Sequence, residues 1–216
     1  MNNVYIYAVS YDLGFAPNPF SGLCSLACCK PNIRERAQCG DWIIGLTGVK
    51  LKPALRCIFA MIVTQETNFD DYWDAPDFAT RRPVRNGTPK KLVGDNIYHR
   101  ETQTSPWLQE NSVHSQTDGE QCPLNTAHDT RVNRVLLSNH FVYFGSMAPS
   151  LPQPILDALS YKRNPRDYRR YSSAQAKPLT DWLKPQIASH PNQVLEDPID
   201  FSSSWKRFSQ EHQRMV

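Results

Sequence analysis

The chain has 216 residues, of which 40% are hydrophobic and 21% charged, and its formal net charge is +3. This composition is ordinary for a soluble globular protein, and the length favours one domain. No apolar run approaches the roughly 18 residues that a membrane helix needs, and the first residues lack the pattern of a signal peptide. We therefore expect a cytoplasmic protein with no membrane partner.

The first half of the chain predicts strands. Residues 4–12 are β-branched and aromatic with partial alternation, residues 42–46 follow a Gly-Asp turn, and residues 56–67 form a longer apolar run. Residues 48–53 have the length of a hairpin connection between the second and third strands. Aromatic residues at helical spacing in 69–78 predict a short amphipathic helix, and a basic loop rich in proline and glycine follows it.

The second half begins with a polar segment, 102–130, which indicates a long functional loop or a poorly ordered insertion. Two strands, 134–138 and 141–145, are joined at Asn139-His140, which is a hairpin signal. Helical patterns follow at 154–161 and 174–189, and the residues after Pro191 predict an extended segment. For the core, we expect the strand residues Ile43, Ile58, Ile62, Leu136 and Val142.

Because strands come before helices, the order of elements indicates an α+β fold rather than alternating βαβ units. We expect residues 1–150 to form a β-rich domain and residues 151–216 to form a helical C-terminal extension packed on it. The dinucleotide and P-loop glycine motifs are absent, as are the G-x-S-x-G and H-E-x-x-H signatures. These absences exclude the usual nucleotide-binding loops and the common hydrolase motifs.

The six cysteines are expected to be reduced, since the chain is large and lacks a secretion signal. Cys24, Cys28, Cys29 and Cys39 cluster without forming paired C-x-x-C units, which disfavours a structural zinc site. Cys57 lies in an apolar run and is expected in the core. We therefore expect neither a metal nor another cofactor.

Charges are strongly patterned along the chain. Residues 66–77 carry five acids and no base, 81–91 carry five bases and no acid, and 162–171 carry five bases and one acid. In the last stretch tyrosines alternate with arginines, a mixture suited to phosphate contact and base stacking, with Arg169 and Arg170 as candidate contacts. The alternative is a solvated loop whose arginines pair with the acidic segment.

Five stretches resemble the second type of nucleotide-modification-associated domain, a family of small bacterial and phage proteins. They are YDLGFAPNPF (11–20), CCKPNIR (28–34), GDWIIG (40–45), GDNIYH (94–99) and FVYFG (141–145). The resemblance implies an association with nucleotide or nucleic-acid modification and names no reaction. Gly-Asp-Trp at 40–42 and the hairpin that follows also resemble the core of the PUA and EVE modified-base readers. That likeness implies a small β-barrel, or a strongly bent mixed sheet, with a pocket beside it.

The first and second of these stretches supply one group of candidate site residues. Asp12 closes a strand, where it serves as a general base or caps the turn. Asn18 lies between two prolines, which hold its amide in place for reading a base edge or a ribose, unless it only forms a rigid turn. Lys30 and Arg34 offer a phosphate clamp, or plain cations at a helix end. Phe15 is a further candidate for ligand contact.

A second group lies in 94–100. Asp95 is a candidate to orient or deprotonate a substrate, and His99 a candidate acid/base near neutral pH, with Asn96 and Tyr98 as binding residues and Arg100 for phosphate. In a strand His99 faces away from Tyr98 and Arg100, which argues against one shared pocket. His114 is a further binding candidate. A metal site of His99, His114, His128 and Asp129 is an alternative without diagnostic spacing.

Three hypotheses follow. The first is a binding module whose pocket admits a flipped or modified base of a nucleic acid or nucleotide, with the basic stretches holding the backbone. The second is an enzyme acting on nucleotides or nucleic-acid bases, with Asp95 or Asp12 as base and His99 as its acid/base partner. The third is an interaction subunit with a protein partner from a modification or defence system.

Overall fold

A computed structural model describes residues 2–162 and 164–216 of the chain. The strands are β1 (Asn3–Val9), β2 (Cys24–Leu26), β3 (Trp42–Thr47), β4 (Cys57–Ile62), β5 (Gln65–Thr67), β6 (Tyr98–His99), β7 (Leu108–Gln109), β8 (Val135–Ser138), β9 (Phe141–Tyr143), β10 (Tyr168–Ser172), β11 (Gln193–Val194), β12 (Phe208–Ser209) and β13 (Arg214–Met215). The α-helices are α1 (Pro31–Arg36), α2 (Phe69–Asp74), α3 (Pro89–Leu92), α4 (Pro123–Thr130), α5 (Gln153–Ala158) and α6 (Lys177–Ser189). Short 3-10 helices span Pro76–Arg81, Gly145–Met147 and Phe201–Ser203.

A six-stranded mixed sheet in the order β10-β1-β3-β4-β9-β11 is the centre of the fold. β1 pairs in parallel with β3 and antiparallel with β10, and β4 pairs antiparallel with both β3 and β9. β3 is buried along its whole length, as expected for a central strand covered on both faces. The α+β class is thus confirmed. Across residues 2–162 and 164–216 the strands form no closed barrel, so the PUA-like barrel is not confirmed.

A second sheet, in the order β2-β8-β5, corrects two predictions. The single strand expected over 56–67 is two strands, because the chain changes sheets at Val63 and Thr64. The backbone of Val63 still bonds Asp41 of the main sheet, whereas the Thr64 N–H bonds Leu137 of the second. The predicted hairpin of 134–138 and 141–145 is also wrong, since β8 pairs with β2 and β5 while β9 pairs with β4 and β11.

The helices largely follow the predicted pattern. The helix expected over 69–78 begins after Asn68, whose side chain caps the Asp71 N–H, and gives way at Pro76 to a 3-10 helix. The helices expected at 154–161 and 174–189 correspond to α5 and α6. The basic stretch expected as loop contains α3, and the polar segment 102–130 contains α4 and β7.

The core is built as the strand patterns predict. Ile43, Ile58, Leu136 and Val142 are fully buried, and Ile62 is half-buried against them. Each fully buried aliphatic side chain of this kind contributes roughly 1.5–3 kcal/mol to folding. A second apolar cluster, which includes Phe15, Phe69, Tyr98 and Leu137, lies around the smaller sheet.

The last third of the chain is part of the same architecture. β10 pairs with β1 and β11 pairs with β9, so these two strands form the two edges of the main sheet. The expected division at residue 150 stays a prediction. None of the helices within the described residues combines the length and apolar character required to cross a membrane.

Candidate functional site

A cavity of about 490 Å³ opens beside the end of β1. Its volume falls in the range of small-molecule sites, roughly 300–1,000 Å³. Its walls come from β1, the turn before α1, the end of α4, the loop before β10 and the hairpin β12–β13. The lining includes Tyr7, Tyr11, Phe15, Cys29, Lys30, Asn32, Val113, His114, His128, Arg131, Arg166, Asp167, Phe208, Gln213 and Met215.

Cys29 lies on a tight turn between β2 and α1. Its φ is 58° and that of Lys30 is 40°, so two consecutive residues with side chains adopt the left-handed conformation. Such backbone costs of order 1–3 kcal/mol per residue, persists only where surrounding structure holds it, and is enriched at active sites. The Cys29 N–H donates to Asp129 Oδ1 at 2.8 Å, and the Cys29 carbonyl accepts from Arg34 Nε at 3.0 Å. These bonds hold the thiol half-exposed at the cavity wall.

Cys29, His114 and Asp129 form a linked series. The Cys29 Sγ lies 3.5 Å from His114 Nε2, and His114 Nδ1 lies 2.8 Å from Asp129 Oδ2. The Tyr98 hydroxyl donates to the same Oδ2 at 2.9 Å. A nucleophile within reach of a base, which is itself oriented by a carboxylate, is the geometry of nucleophilic catalysis.

The charges of this series reinforce one another. Burial lowers the pKa of His114, but the adjacent Cys29 and Asp129 outweigh that effect and raise the pKa to about 10. Burial also raises the pKa of the Asp129 carboxyl, whereas His114 and Arg34 outweigh it and hold that pKa below its ordinary value. His114 therefore holds a proton at neutral pH beside an ionised Asp129, and its Nε2 faces the Cys29 thiol.

Buried polar contacts fix the series in place. Asn125 on α4 donates to the His114 carbonyl at 2.7 Å. The guanidinium of Arg34 is fully buried and donates to the carbonyls of Asp129, Val132 and Arg134. Arg34 therefore joins α1 to the end of α4, and it holds Cys29 and Asp129 at a fixed separation.

Aromatic side chains surround the imidazole. The ring of Phe15 meets His114 edge-on with centroids 4.7 Å apart, and Phe208 lies 6.1 Å from the same ring. Phe208 belongs to the hairpin β12–β13, whose backbone bonds Val113 and the Asn125 side chain. This hairpin is one wall of the cavity. Flat apolar faces of this kind stack well on nucleobases.

The structure brings five predicted site residues together. Phe15, Lys30 and His114 line the cavity, with Arg34 and Tyr98 behind them. Lys30 lies over the ring of Tyr7 at 4.9 Å, and burial lowers its pKa.

Asp95 lies in a different, closed network outside the described cavity lining. Its carboxylate accepts from Ser25 and from the Tyr72 hydroxyl, and it faces Arg81 at 3.5 Å. Arg81 also donates to the side chain of Asn18 at 3.0 Å. Asn96 is buried nearby, where its Nδ2 donates to the Tyr72 carbonyl. These contacts explain the polar stretches at 18 and 94–96 structurally, and the binding and catalytic roles assigned to them stay predictions.

Asp12 anchors the C-terminal segment. Its carboxylate accepts from the Tyr143 hydroxyl and from the Ile199 N–H, and the Asp12 N–H donates to Asp200. Burial raises the pKa of Asp12 to about 6, against the lowering effect of these bonds. Asp12 is not among the described residues that line the cavity.

The remaining candidates lie apart from the cavity. His99 stacks on Trp73 and bonds Glu110, and Arg100 forms a two-pronged ion pair with Asp70. Asp70 belongs to the acidic segment 66–77, but Arg100 lies outside the basic stretch 162–171, so this pair does not test the alternative given for that stretch.

The basic stretch 162–171 is partly a strand. Arg169 and Arg170 lie on β10, at one end of the main sheet, where Arg169 covers the ring of Tyr161. Arg166 lines the cavity. Arg163, another base of this stretch, lies outside the described residues.

One trio suits a metal ion among the residues that the structure describes. Atoms of Cys28, His114 and Asp129 lie within 4.8 Å of one another, whereas His99 of the expected metal set is elsewhere. His114 and Asp129 are already bonded to each other, and the Cys28 thiol bonds the Asp95 carbonyl at 3.5 Å. Burial raises the pKa of the Cys28 thiol. The contacts therefore favour the Cys29 series over a metal centre.

Sequence reasoning considered Cys29 and Asp129 only as possible metal ligands and gave neither a part in catalysis. Both assignments require knowing that residues 85 and 15 positions apart meet at His114. The available signal was a cysteine one residue before Lys-Pro, where proline favours the first turn of a helix.

Comparisons with known proteins agree with the family resemblance. The family model described as nucleotide modification associated domain 2 matches residues 1–205. Neither the curated proteins nor the solved structures yield a match to this chain. The match covers nearly the whole chain, including β1, the Cys29 turn, His114 and Asp129. The chain belongs to the nucleotide modification associated domain 2 family.

Proposed function

We propose that this protein is an enzyme that modifies a nucleotide or a nucleic-acid base through nucleophilic attack by Cys29. The observation that carries the proposal is the Cys29–His114–Asp129 series at the wall of the cavity. The family description supports a nucleotide context for that chemistry.

Each member of the series has a distinct part in the reaction. His114 holds the thiol proton, which leaves Cys29 as the thiolate that bonds an electrophilic carbon of the substrate. His114 then gives the proton to the substrate atom that takes up the electron pair displaced from that carbon, whether this atom leaves or stays attached. Asp129 keeps the ring oriented through its bond to Nδ1, and Tyr98 and Arg34 hold Asp129.

The cavity suits a nucleotide in shape and chemistry. Tyr7, Tyr11, Phe15 and Phe208 supply aromatic surface for a base. Hydrogen-bonding side chains such as Gln213 lie on the same lining and suit polar edges of a base or sugar. The thiol therefore faces a space in which a base and its sugar fit together.

Selective alkylation tests the nucleophile. Native protein is treated with limiting iodoacetamide at pH 7, and the modified cysteines are identified by peptide mass spectrometry. We expect half-buried Cys29 to react before exposed Cys39, because the protonated His114 imidazole lies beside the Cys29 thiol. Cys39→Ala is the matched control and leaves the rate at Cys29 unchanged. A rate at Cys29 no higher than at Cys39 rejects the proposal.

Substrate is sought by two readouts on the same protein. Nucleosides, nucleoside monophosphates and short oligonucleotides are tested for protection of Cys29 against iodoacetamide and for covalent adducts by intact-protein mass spectrometry. Protection, or an adduct that Cys29→Ser abolishes, supports a nucleotide substrate. A different result is that Cys29 reacts rapidly with iodoacetamide while no compound slows it and no adduct forms. That result supports the nucleophile and rejects a nucleotide substrate.

The second candidate function is a reader of a modified base, and the aromatic lining of the cavity favours it. A reader holds its ligand without reacting, so it predicts tight, salt-sensitive binding of one modified oligonucleotide that Cys29→Ala leaves intact. An adduct on Cys29 excludes a pure reader. A protein partner from a modification system is compatible with either function, and co-purification with the other proteins of such a system tests it.

A further inference from the structure

One side of the cavity carries a concentration of positive charge. Among the lining residues that the structure describes, Lys30, Arg131 and Arg166 are basic and Asp167 is the single acid. His128 lies there as well. Arg131 and Arg166 are exposed, and the guanidinium group of arginine is a cation with five N–H donors. This side therefore attracts an anion.

The cations are organised by a short hydrogen-bonded chain. Arg131 donates to Asn32 Oδ1 at 2.6 Å, and Asn32 donates to Asp167 Oδ2 at 2.7 Å. The Lys30 ammonium donates to the Asp167 carbonyl at 3.3 Å. Three separate parts of the chain, the start of α1, the end of α4 and the loop before β10, are thus tied into one rim.

The thiol lies between this rim and the aromatic part of the cavity. Cys29 is the backbone neighbour of Lys30 on the rim, and its Sγ contacts His114, which Phe15 and Phe208 surround. A nucleotide has the same order of parts, with a phosphate at one end, a sugar in the middle and a flat base at the other.

We propose that Arg131 and Arg166, with Lys30, form a phosphate-binding rim that holds the phosphate of a nucleotide while its base lies among the aromatic residues. The inference rests on the proposed function and specifies its substrate class as phosphorylated. Guanidinium groups suit phosphate because their planar N–H donors match two of its oxygens at once. The Arg131 fork has five donors, so the bond to Asn32 leaves others for a phosphate.

The phosphate comes either from a free nucleotide or from a nucleic-acid backbone. These sources differ in what else they contact. A free monophosphate needs only the rim, whereas a strand of nucleic acid also uses surface cations outside the cavity, such as Arg170 on β10. Binding of a strand also weakens steeply with salt, because each contacted phosphate releases counterions.

Calorimetry with nucleosides, their 5′-monophosphates and single-stranded 12-mers tests the rim. We expect monophosphates to bind at least tenfold tighter than the matching nucleosides. Arg131→Gln and Arg166→Gln should each weaken monophosphate binding about tenfold and leave nucleoside binding unchanged. Inorganic phosphate should compete with the monophosphate in the wild type. Arg56→Gln, at an arginine outside the described lining, is the matched control and should change nothing.

The outcomes separate this inference from the proposed function. Equal binding of nucleosides and monophosphates, no binding of either, or arginine variants with wild-type affinity overturn the rim. Rapid alkylation of Cys29 in the same samples shows that the nucleophile survives such a result. If 12-mers bind tighter than monophosphates and Arg170→Gln weakens only the 12-mers, the phosphate belongs to a strand. Arg166→Gln keeps the test valid if Arg131→Gln unfolds, since Arg131 bonds Asn32 on α1 whereas Arg166 lies exposed in the loop before β10.

Discussion

Two buried hydrogen-bonded networks in this protein contain similar types of residue but differ in whether they reach a cavity. Asp95 is joined to Tyr72 and Arg81, and Asp129 is joined to Tyr98 and lies beside Arg34. The bonds of Asp95 end on buried protein groups. Those of Asp129 continue through His114 to a thiol at a cavity wall. The two networks thus differ in access, and the candidate site is placed on Asp129 because its bonds reach a space that a ligand can occupy.

The largest expected effect is on the closed network. Arg81→Met leaves the Asp95 carboxylate buried without its cation, which typically costs about 3–5 kcal/mol of unfolding free energy. Urea denaturation at pH 7 measures this, with Cys29→Ala as the comparison because the thiol is half-exposed and should cost less than about 1 kcal/mol. Similar losses in the two variants would contradict the distinction between the networks.

Asp12 extends the comparison to a buried carboxylate held by a tyrosine and backbone rather than an arginine. Its folded pKa of about 6 lies above the ordinary value for aspartate, so the folded state binds the proton more tightly than the unfolded state. Its contribution to stability is therefore full below pH 4 and falls by roughly 3 kcal/mol as the pH rises to 6. Urea denaturation from pH 4 to 7 should show that Asp12→Asn removes this decline. A variant with the wild-type slope would contradict it.

His114→Gln tests the network that runs from Asp129 through His114 to the cavity. Without the protonated imidazole beside its Sγ, Cys29 should be alkylated at pH 7 about thirtyfold more slowly, because an ordinary thiol with a pKa of about 8.5 is only about 3% ionised at that pH. His99→Gln is the control, because that imidazole stacks on Trp73 away from the cavity. If both variants alkylate at the wild-type rate, His114 does not activate Cys29.

The smallest expected effect distinguishes a positioning role of Tyr98 from a direct role in the reaction of Cys29. Tyr98→Phe removes one donor to Asp129 while the bond from His114 remains. We expect a stability loss of about 1.5 kcal/mol, near the lower limit for a hydrogen bond to a charged group, and a fall of only a few fold in the alkylation rate. Thermal denaturation and the iodoacetamide assay measure the two. A loss of alkylation as large as that of His114→Gln would place Tyr98 in the chemistry.

The fold was predictable where the pattern is local. β1, β3 and β4 follow from continuous apolar and β-branched runs, and α5 and α6 from helical spacing. The change of sheet at Val63 and Thr64 was not, because the residues stay strand-like across it and only the distant partner Leu137 decides the pairing. Secondary-structure preference carries no information about which sheet a strand joins.

The site was predictable only in part, for the same reason. Phe15, Lys30 and His114 were identified by type and do line the cavity. The polar segment 102–130 predicted a long functional loop or a poorly ordered insertion, because it contains few apolar residues. Its order comes instead from buried hydrogen bonds of Asn125 and Asp129, whose partners lie elsewhere in the chain. Composition counts apolar groups and does not reveal such bonds.

The hairpin β12–β13 has a consequence for which molecules the cavity admits. The family match ends at residue 205, whereas the hairpin residues that line the cavity, including Phe208 and Met215, come after it. The matched part holds Cys29 and His114, and the hairpin adds a separate wall to the space beside them. Substitutions in the hairpin should therefore change which molecule enters the cavity while the Cys29–His114 contact, which belongs to other elements, is kept.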